Sequence, residues 1–293
     1  PPLLPPTPPP PPPGGRPPVP PKHPRRPGGG AWPAAGLHPV LAVYSTFLAR
    51  GLDQAIYDIG LHRLPVTLVL DRAGITGPDG PSHHGIFDLA LLSCVPGMQI
   101  ACPRDPARLR ELLGEATTMT TPSALRFPKA TAGPDISAQA RIGGVDILYR
   151  SPHHRQHPDV LLVSVGAMAG ACLGAAEELT AEGIAVTVAD PRWVQPIPPS
   201  LTLLAAHHRS VVCVEDGVRD GGIGSRLAAA VAAQNPARPP VGVLGLPTEF
   251  ITHAARAELL AHYGLTGPGI AAAARQQLIE TQTVEPALSA GSA

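Results

Sequence analysis

The chain has 293 residues, with 22 basic residues against 22 acidic ones and a formal net charge of zero. That length suits about two domains, and the charge balance removes any electrostatic case for nucleic acid or an anionic membrane surface. No apolar run approaches the roughly 18 residues needed to cross a bilayer, and the N-terminus lacks the apolar core of a signal peptide.

The chain opens on Pro and its first Met is Met98, which is not how an ordinary full-length product begins. Of the first 33 residues 17 are Pro, and the segment carries Arg16, Lys22, Arg25 and Arg26 with no acid. Residues 1–34 cannot bury a core and are expected as disordered or polyproline II chain. They read as a tail or linker, as a ligand for a proline-recognising domain, or as spurious coding.

From Leu37 the pattern changes. Pro39–Val43 reads as a strand. Ser45 reads as the N-cap of a helix over about Thr46–Asp58, with Phe47, Leu48, Leu52, Ala55 and Ile56 on its apolar face. Val66–Leu70 and Met98–Cys102 are further strands. Asp105 and Pro106 supply a cap and a first-turn proline for a helix to about Ala116, and Ser123–Phe127 is another strand. Residues 130–158 form a bridge with one short strand, Val145–Tyr149. A second unit alternates strands Val160–Val165, Ile184–Ala189, Ser210–Glu215 and Val241–Leu246 with helices Met168–Glu182, Leu201–His208, Gly224–Gln234, Ala254–Tyr263 and Gly269–Glu280. Residues 281–293 read as a loose tail. The alternation predicts an α/β fold of two parallel or mixed sheets with helices on their faces. The four cysteines, Cys94, Cys102, Cys172 and Cys213, form no CxxC pair and sit in apolar runs. They are expected as buried thiols of a cytoplasmic protein, neither a disulfide framework nor a zinc site.

The most chemical stretch is DRAGITGPDGPSHHG, residues 71–85, with four Gly, two Asp, one Arg and two adjacent His in fifteen residues. It follows a buried strand, where α/β proteins place their chemistry. Glycine allows close backbone approach, His suits proton transfer near neutral pH, and a guanidinium suits a phosphate.

Six segments occur in order: YSTFLARGLDQ (44–54), LPVTLVLDRAGITGPDGPSHHGIFDL (64–89), ALRFPK (124–129), DPRWVQP (190–196), VEDGVRDGGIGS (214–225) and LPTEFITHAAR (246–256). Together they resemble the 1-deoxy-D-xylulose-5-phosphate synthases, transketolase-like enzymes, from about Ala35 to Gln277. The resemblance implies a partial pyrimidine-binding domain over residues 35–134 and a transketolase C-terminal domain over 135–280. It implies thiamine diphosphate and magnesium as cofactors, pyruvate and glyceraldehyde 3-phosphate as substrates, and a homodimer. It also implies site roles: Phe47 stacks on the cofactor pyrimidine; Tyr44, Arg50, Arg72 and Arg126 reach the substrate phosphate; Asp79 and His83 act as acid and base near the substrate hydroxyl and carbonyl. His253 resembles a family His facing the site. Glu215, Asp216 and the Gly221–Gly222–Gly224 run resemble a packing and dimer region.

The family's diphosphate-binding domain, with its Gly-Asp-Gly magnesium motif, has no counterpart in these residues. Its pyrimidine-activating Glu would fall among Pro17–Arg26, which hold no carboxylate. The expectation is a fragment of the synthase, inactive alone and unable to bind the whole cofactor. Two alternatives stand beside it: one half of a split thiamine enzyme, such as a transketolase C-terminal half or a 2-oxoacid dehydrogenase beta subunit, and a non-catalytic dimerising module.

Overall fold

The computed structural model describes residues 36–152, 156–234 and 239–290; the proline-rich segment of the sequence reading lies outside them. The first half runs β1 (Val40–Tyr44), α1 (residues 45–60), β2 (Thr67–Asp71), α2 (Asp88–Leu92), β3 (Gln99–Ala101), α3 (Pro106–Thr118) and β4 (Ser123–Arg126). The second runs β5 (Ala140–Ile142), β6 (Val145–Arg150), β7 (Val160–Ser164), α4 (Ala169–Ala181), β8 (Val186–Asp190), β9 (Trp193–Gln195), α5 (Pro199–Ala206), β10 (Ser210–Val218), α6 (Ile223–Gln234), β11 (Val241–Leu246), α7 (Arg256–His262) and α8 (Gly267–Ala290).

Two sheets result, ordered β1-β2-β4-β3-β9 and β11-β10-β7-β8-β6-β5. All pairs are parallel except β3 with β9, β6 with β8 and β5 with β6. The parallel strands are continuous apolar runs because both of their faces are covered: Leu68, Leu70, Leu161, Leu162, Val163 and Val212 are all buried. The Thr67 hydroxyl in β2 is paired, its Oγ1 lying 2.9 Å from Ser123 Oγ and 2.7 Å from His38 Nε2.

Asp105 caps α3 as expected, its carboxylate accepting from the Arg108 N–H at 2.7 Å. Ser45 is no N-cap. It is already helical, and its hydroxyl donates to the Gly85 carbonyl at 3.2 Å. α1 is irregular, passing from α to 3-10 at Ala49–Gly51 and to π at Ala55–Gly60. Its buried face is Leu48, Ala55 and Ile59, whereas Phe47 is 38% exposed and leaves the apolar stripe. Cys94 is exposed, against the expectation of four buried thiols; Cys102, Cys172 and Cys213 are buried. α8 carries on past Glu280, where the sequence reading ends it.

The halves are interlocked. β9 comes from the second half yet extends the first sheet, Ile100 opposing Gln195 and Ala101 opposing Trp193. Ile100 and Cys102 share one apolar cluster with Val163, Val194 and Cys213. The fully buried Arg104 side chain donates from Nη1 to Asp146 at 2.8 Å and Asp190 at 2.7 Å, and from Nη2 to the Ile136 carbonyl at 2.8 Å. A buried cation of this kind is tolerable only because its donors are taken by charged or carbonyl oxygens.

Candidate active site

The 71–85 loop leaves the carboxyl end of β2 and returns to α2. Its two ends are joined: Gly74 N–H donates to the Gly85 carbonyl at 2.8 Å, and Gly85 N–H to that of Gly74 at 2.9 Å. Thr46 Oγ1 donates to the Ser82 carbonyl at 3.1 Å, so the start of α1 is fastened to the loop as well. Arg72 has φ 59°, a left-handed conformation uncommon for a residue with a Cβ. Its own N–H donates to Asp71 at 2.6 Å. Such strain is held in place by surrounding contacts and clusters at functional sites.

Around this loop the structure gathers most of the predicted residues. The Tyr44 and Phe47 rings stack at 5.6 Å, and Phe47 meets the His83 imidazole edge-on at 5.8 Å. Arg72 Cζ lies 4.1 Å over the Tyr44 ring and Arg50 Cζ 5.6 Å from the Phe47 ring, both favourable cation–π placements. Arg72 Nη1 is 3.4 Å from Asp79 Oδ2. Ser82 Oγ lies 2.9 Å from His83 Nδ1, leaving Nε2 as the nitrogen not engaged by it. His253 packs beside Gly80.

Arg126 lies deeper than the other cations: its side chain is 4% exposed, Nε donating to Asp88 at 2.9 Å and Nη1 to Asp216 at 2.7 Å, while its Nη2 has no hydrogen-bond partner among the described residues. Burial raises the Asp216 carboxyl, but the Arg126 and Arg256 guanidiniums outweigh burial and hold it below the ordinary carboxylate range. The cation at the loop's face is Lys129, which the sequence reading passed over. Its Nζ lies 2.9 and 2.7 Å from the two Asp79 carboxylate oxygens and its side chain is 42% exposed. That hydrogen bond, with the charges of Lys129 and Arg72, keeps Asp79 ionised below its usual range. A signal was present: Lys129 and Lys22 are the only lysines of the chain, and Lys129 ends the segment that carries Arg126.

His84 divides from its neighbour. It is 2% exposed, and its Nδ1 accepts from the Thr76 N–H at 3.0 Å. Burial depresses its imidazole pKa, so it stays a neutral strut while His83 faces the open side. Glu215 fills the glycine-rich start of α6, accepting from Ile223 N–H at 3.0 Å and Gly224 N–H at 2.8 Å. That helix end is therefore closed to an external anion.

The exposed, partly flanked Phe47 ring fits a stacking partner such as a pyrimidine. Among the described residues no group of three or more His, Cys, Asp or Glu is placed to hold a metal ion, and no helix is long and apolar enough to cross a membrane.

Comparison with known proteins gives the family of the chain. A model of the transketolase pyrimidine-binding domain matches residues 29–134, and one of the transketolase C-terminal domain matches residues 150–270. The 1-deoxy-D-xylulose-5-phosphate synthase 1 of Kitasatospora griseola is 54% identical over 238 residues, 81% of this chain and 36% of that protein. The synthase of Rhodococcus jostii (strain RHA1) is 54% identical over 80% of this chain and 36% of its own length. The chain thus spans little more than a third of the curated relatives it matches. A solved structure described as a split gene transketolase, an inactive beta4 tetramer, superposes with a TM-score of 0.71 at 29% identity, covering 84% of this chain and 78% of that one. Transketolase from Campylobacter jejuni shares the fold, with a TM-score of 0.64 at 18% identity over 80% of this chain and 34% of that one. The chain belongs to the transketolase family, of which it carries the pyrimidine-binding and C-terminal domains.

Proposed function

We propose that this chain forms the acceptor side of a 1-deoxy-D-xylulose-5-phosphate synthase, the enzyme that joins a two-carbon unit from pyruvate to glyceraldehyde 3-phosphate with loss of carbon dioxide. The observation that carries the reading is the convergence on one loop face of two cations, Arg72 and Lys129, with Asp79, His83 and the Tyr44–Phe47 aromatic pair. Arg72 and Lys129, with Tyr44 and Arg50 beside them, hold the aldehyde's phosphate. The Lys129–Asp79 pair is partly exposed, and such pairs contribute little, about 0–1 kcal/mol. An incoming phosphate dianion can therefore take over these cations at small cost.

Phe47 would stack against the pyrimidine of thiamine diphosphate, which when bound would stabilise the carbanion formed as pyruvate loses carbon dioxide. As the new carbon–carbon bond forms at the aldehyde carbon, the carbonyl oxygen becomes a hydroxyl. His83 in its protonated form delivers that proton from Nε2, and ionised Asp79 accepts a hydrogen bond from the substrate hydroxyl. On this reading the described residues supply the acceptor and pyrimidine side, another part of the enzyme would hold the metal and the diphosphate, and turnover is expected to need that part. A pair of chains related by two-fold symmetry is the expected assembly.

The test is twofold. Purified chain should bind glyceraldehyde 3-phosphate at this loop, seen as shifts of the His83 imidazole resonances. With pyruvate, glyceraldehyde 3-phosphate, thiamine diphosphate and magnesium it should form no deoxyxylulose phosphate. Binding elsewhere, or turnover by the chain alone, overturns the proposal.

A second reading has a specific support: the split gene transketolase structure spans nearly the same extent of fold. On that reading the chain is one half of a split enzyme, and adding a separately produced diphosphate-binding half would generate activity that neither half has alone.

A further inference from the structure

The loop that carries Asp79 and His83 is held from outside by a segment about 175 residues further along the chain. Arg256, the first residue of α7, donates from Nη1 to the Ile75 carbonyl at 2.7 Å, while its Nη2 lies 3.5 Å from Asp216. The loop glycines face the same partner domain. A Cβ on Gly74 would lie 2.1 Å from Asp216 Oδ2, one on Gly77 would lie 3.0 Å from Arg256 N and 3.3 Å from the Ala254 carbonyl, and one on Gly80 would lie 3.5 Å from His253 Cβ. Three glycines with positive φ thus lay the loop backbone along residues 216 and 253–256 with no side chain between.

We propose that Arg256 is a positioning residue for the acceptor site: its guanidinium ties the Ile75 carbonyl to Asp216, and through that tie the C-terminal domain sets where Asp79 and His83 stand. The inference rests on the acceptor-site reading above. It gives the C-terminal domain a part in the site, although that domain places none of its own side chains among the proposed reacting groups. The geometry favours one guanidinium for this task, because a planar fork with several donors bridges a carbonyl and a carboxylate at once, and because the loop has few side chains of its own to anchor it.

The experiment uses the full chain in three forms: wild type, Arg256→Met, which keeps the aliphatic stem, and Arg256→Lys, which keeps a charge and a donor. Two readouts are taken, amide hydrogen exchange across residues 73–85 and affinity for inorganic phosphate followed at the His83 ring. R256M should speed exchange at residues 76–84 by about tenfold or more, as expected for a lost charge-assisted hydrogen bond, with β7 and β8 unchanged. Its phosphate affinity should fall by about the same factor, and R256K should recover most of both losses. Loop exchange equal to wild type, or acceleration spread evenly over the whole C-terminal domain, overturns the proposal. Wild-type chain that shows no phosphate binding would refute the acceptor-site reading, while the exchange comparison would still decide the tie itself. Where R256M fails to fold, Gly77→Ala makes the same test by wedging the loop off Arg256, and unchanged exchange there overturns the proposal equally.

Discussion

Lys129 and Asp79 form a two-pronged contact, with Nζ 2.9 and 2.7 Å from the two carboxylate oxygens, at the edge of a loop that begins 58 residues earlier at Asp71. Arg72 reaches the same carboxylate from the other end of the loop. The carboxylate of Asp79 therefore stands between two cations, and Arg72 is shared with Asp71, 4.0 Å from its Nε.

Removing either cation should weaken phosphate binding. K129M and R72M should each lower affinity for glyceraldehyde 3-phosphate by about tenfold or more, the scale of one charge-assisted hydrogen bond. K129M should also let the Asp79 carboxyl rise toward its ordinary 3.8. Calorimetric titration of the ligand and a carboxyl-detected pH titration check the two effects.

Arg126 should behave differently. R126M leaves Asp88 buried without its cation and Asp216 with Arg256 alone; breaking a buried pair in this way typically costs about 3–5 kcal/mol. The expected outcome is a large loss in chemical-denaturation stability, partly recovered by adding D88N. A variant of normal stability with selectively lost phosphate binding would support the role first expected for Arg126.

Gly74 should not tolerate a side chain. Its φ is +71° and a Cβ would meet Asp216 Oδ2 at 2.1 Å, so G74A should cost at least about 1–3 kcal/mol from backbone strain alone, with further loss from the clash. Gly133, which has open space around it and no positive φ, provides the control. G133A should stay within about 0.5 kcal/mol of wild type. Urea melts of the two variants compare them directly.

Stability should respond to pH through two buried groups of opposite sign. His208 donates from Nδ1 to the Leu204 carbonyl at 2.9 Å, and its Nε2 lies 2.9 Å from Thr187 Oγ1. Burial brings its pKa down to about 4 from an ordinary 6.5, so its contribution is complete above 6.5 and is lost as pH falls toward 4. Burial pushes Glu215 up to about 7 from 4.5, against the two N–H groups that favour its charge. Its contribution is complete below 4.5 and is lost as pH rises through 7. Unfolding free energies between pH 4.5 and 8 should show the H208Q penalty growing with pH up to 6.5 and the E215Q penalty shrinking up to 7.

Much of the fold was legible locally. Apolar β-branched runs marked the parallel strands, and Asp105-Pro106 marked the start of α3, because both signals act within a few residues. The place of the 71–85 loop at the end of a buried strand was legible too. What failed was whatever depends on a distant neighbour. Ser45 looked like a cap but spends its hydroxyl on Gly85. Phe47 sat in an apolar pattern yet turns outward to Tyr44 and His83. β9 is three residues long and exists as a strand only because β3 offers it an edge.

The amino-acid sequence alone determined the order of the longer strands and helices, the family and the residue types at the loop, since propensity, pattern and motif are properties of neighbouring residues; the short β5, β9 and α2 were not read from it. Only the tertiary structure decided which cation serves the loop and which serves the interior. Arg126 and Lys129 lie three residues apart in one segment. The first ends a buried strand between two carboxylates of different domains, and the second lies past the strand's end beside Asp79. Burial and long-range charge pairing separate them, and neither is a property of the segment itself.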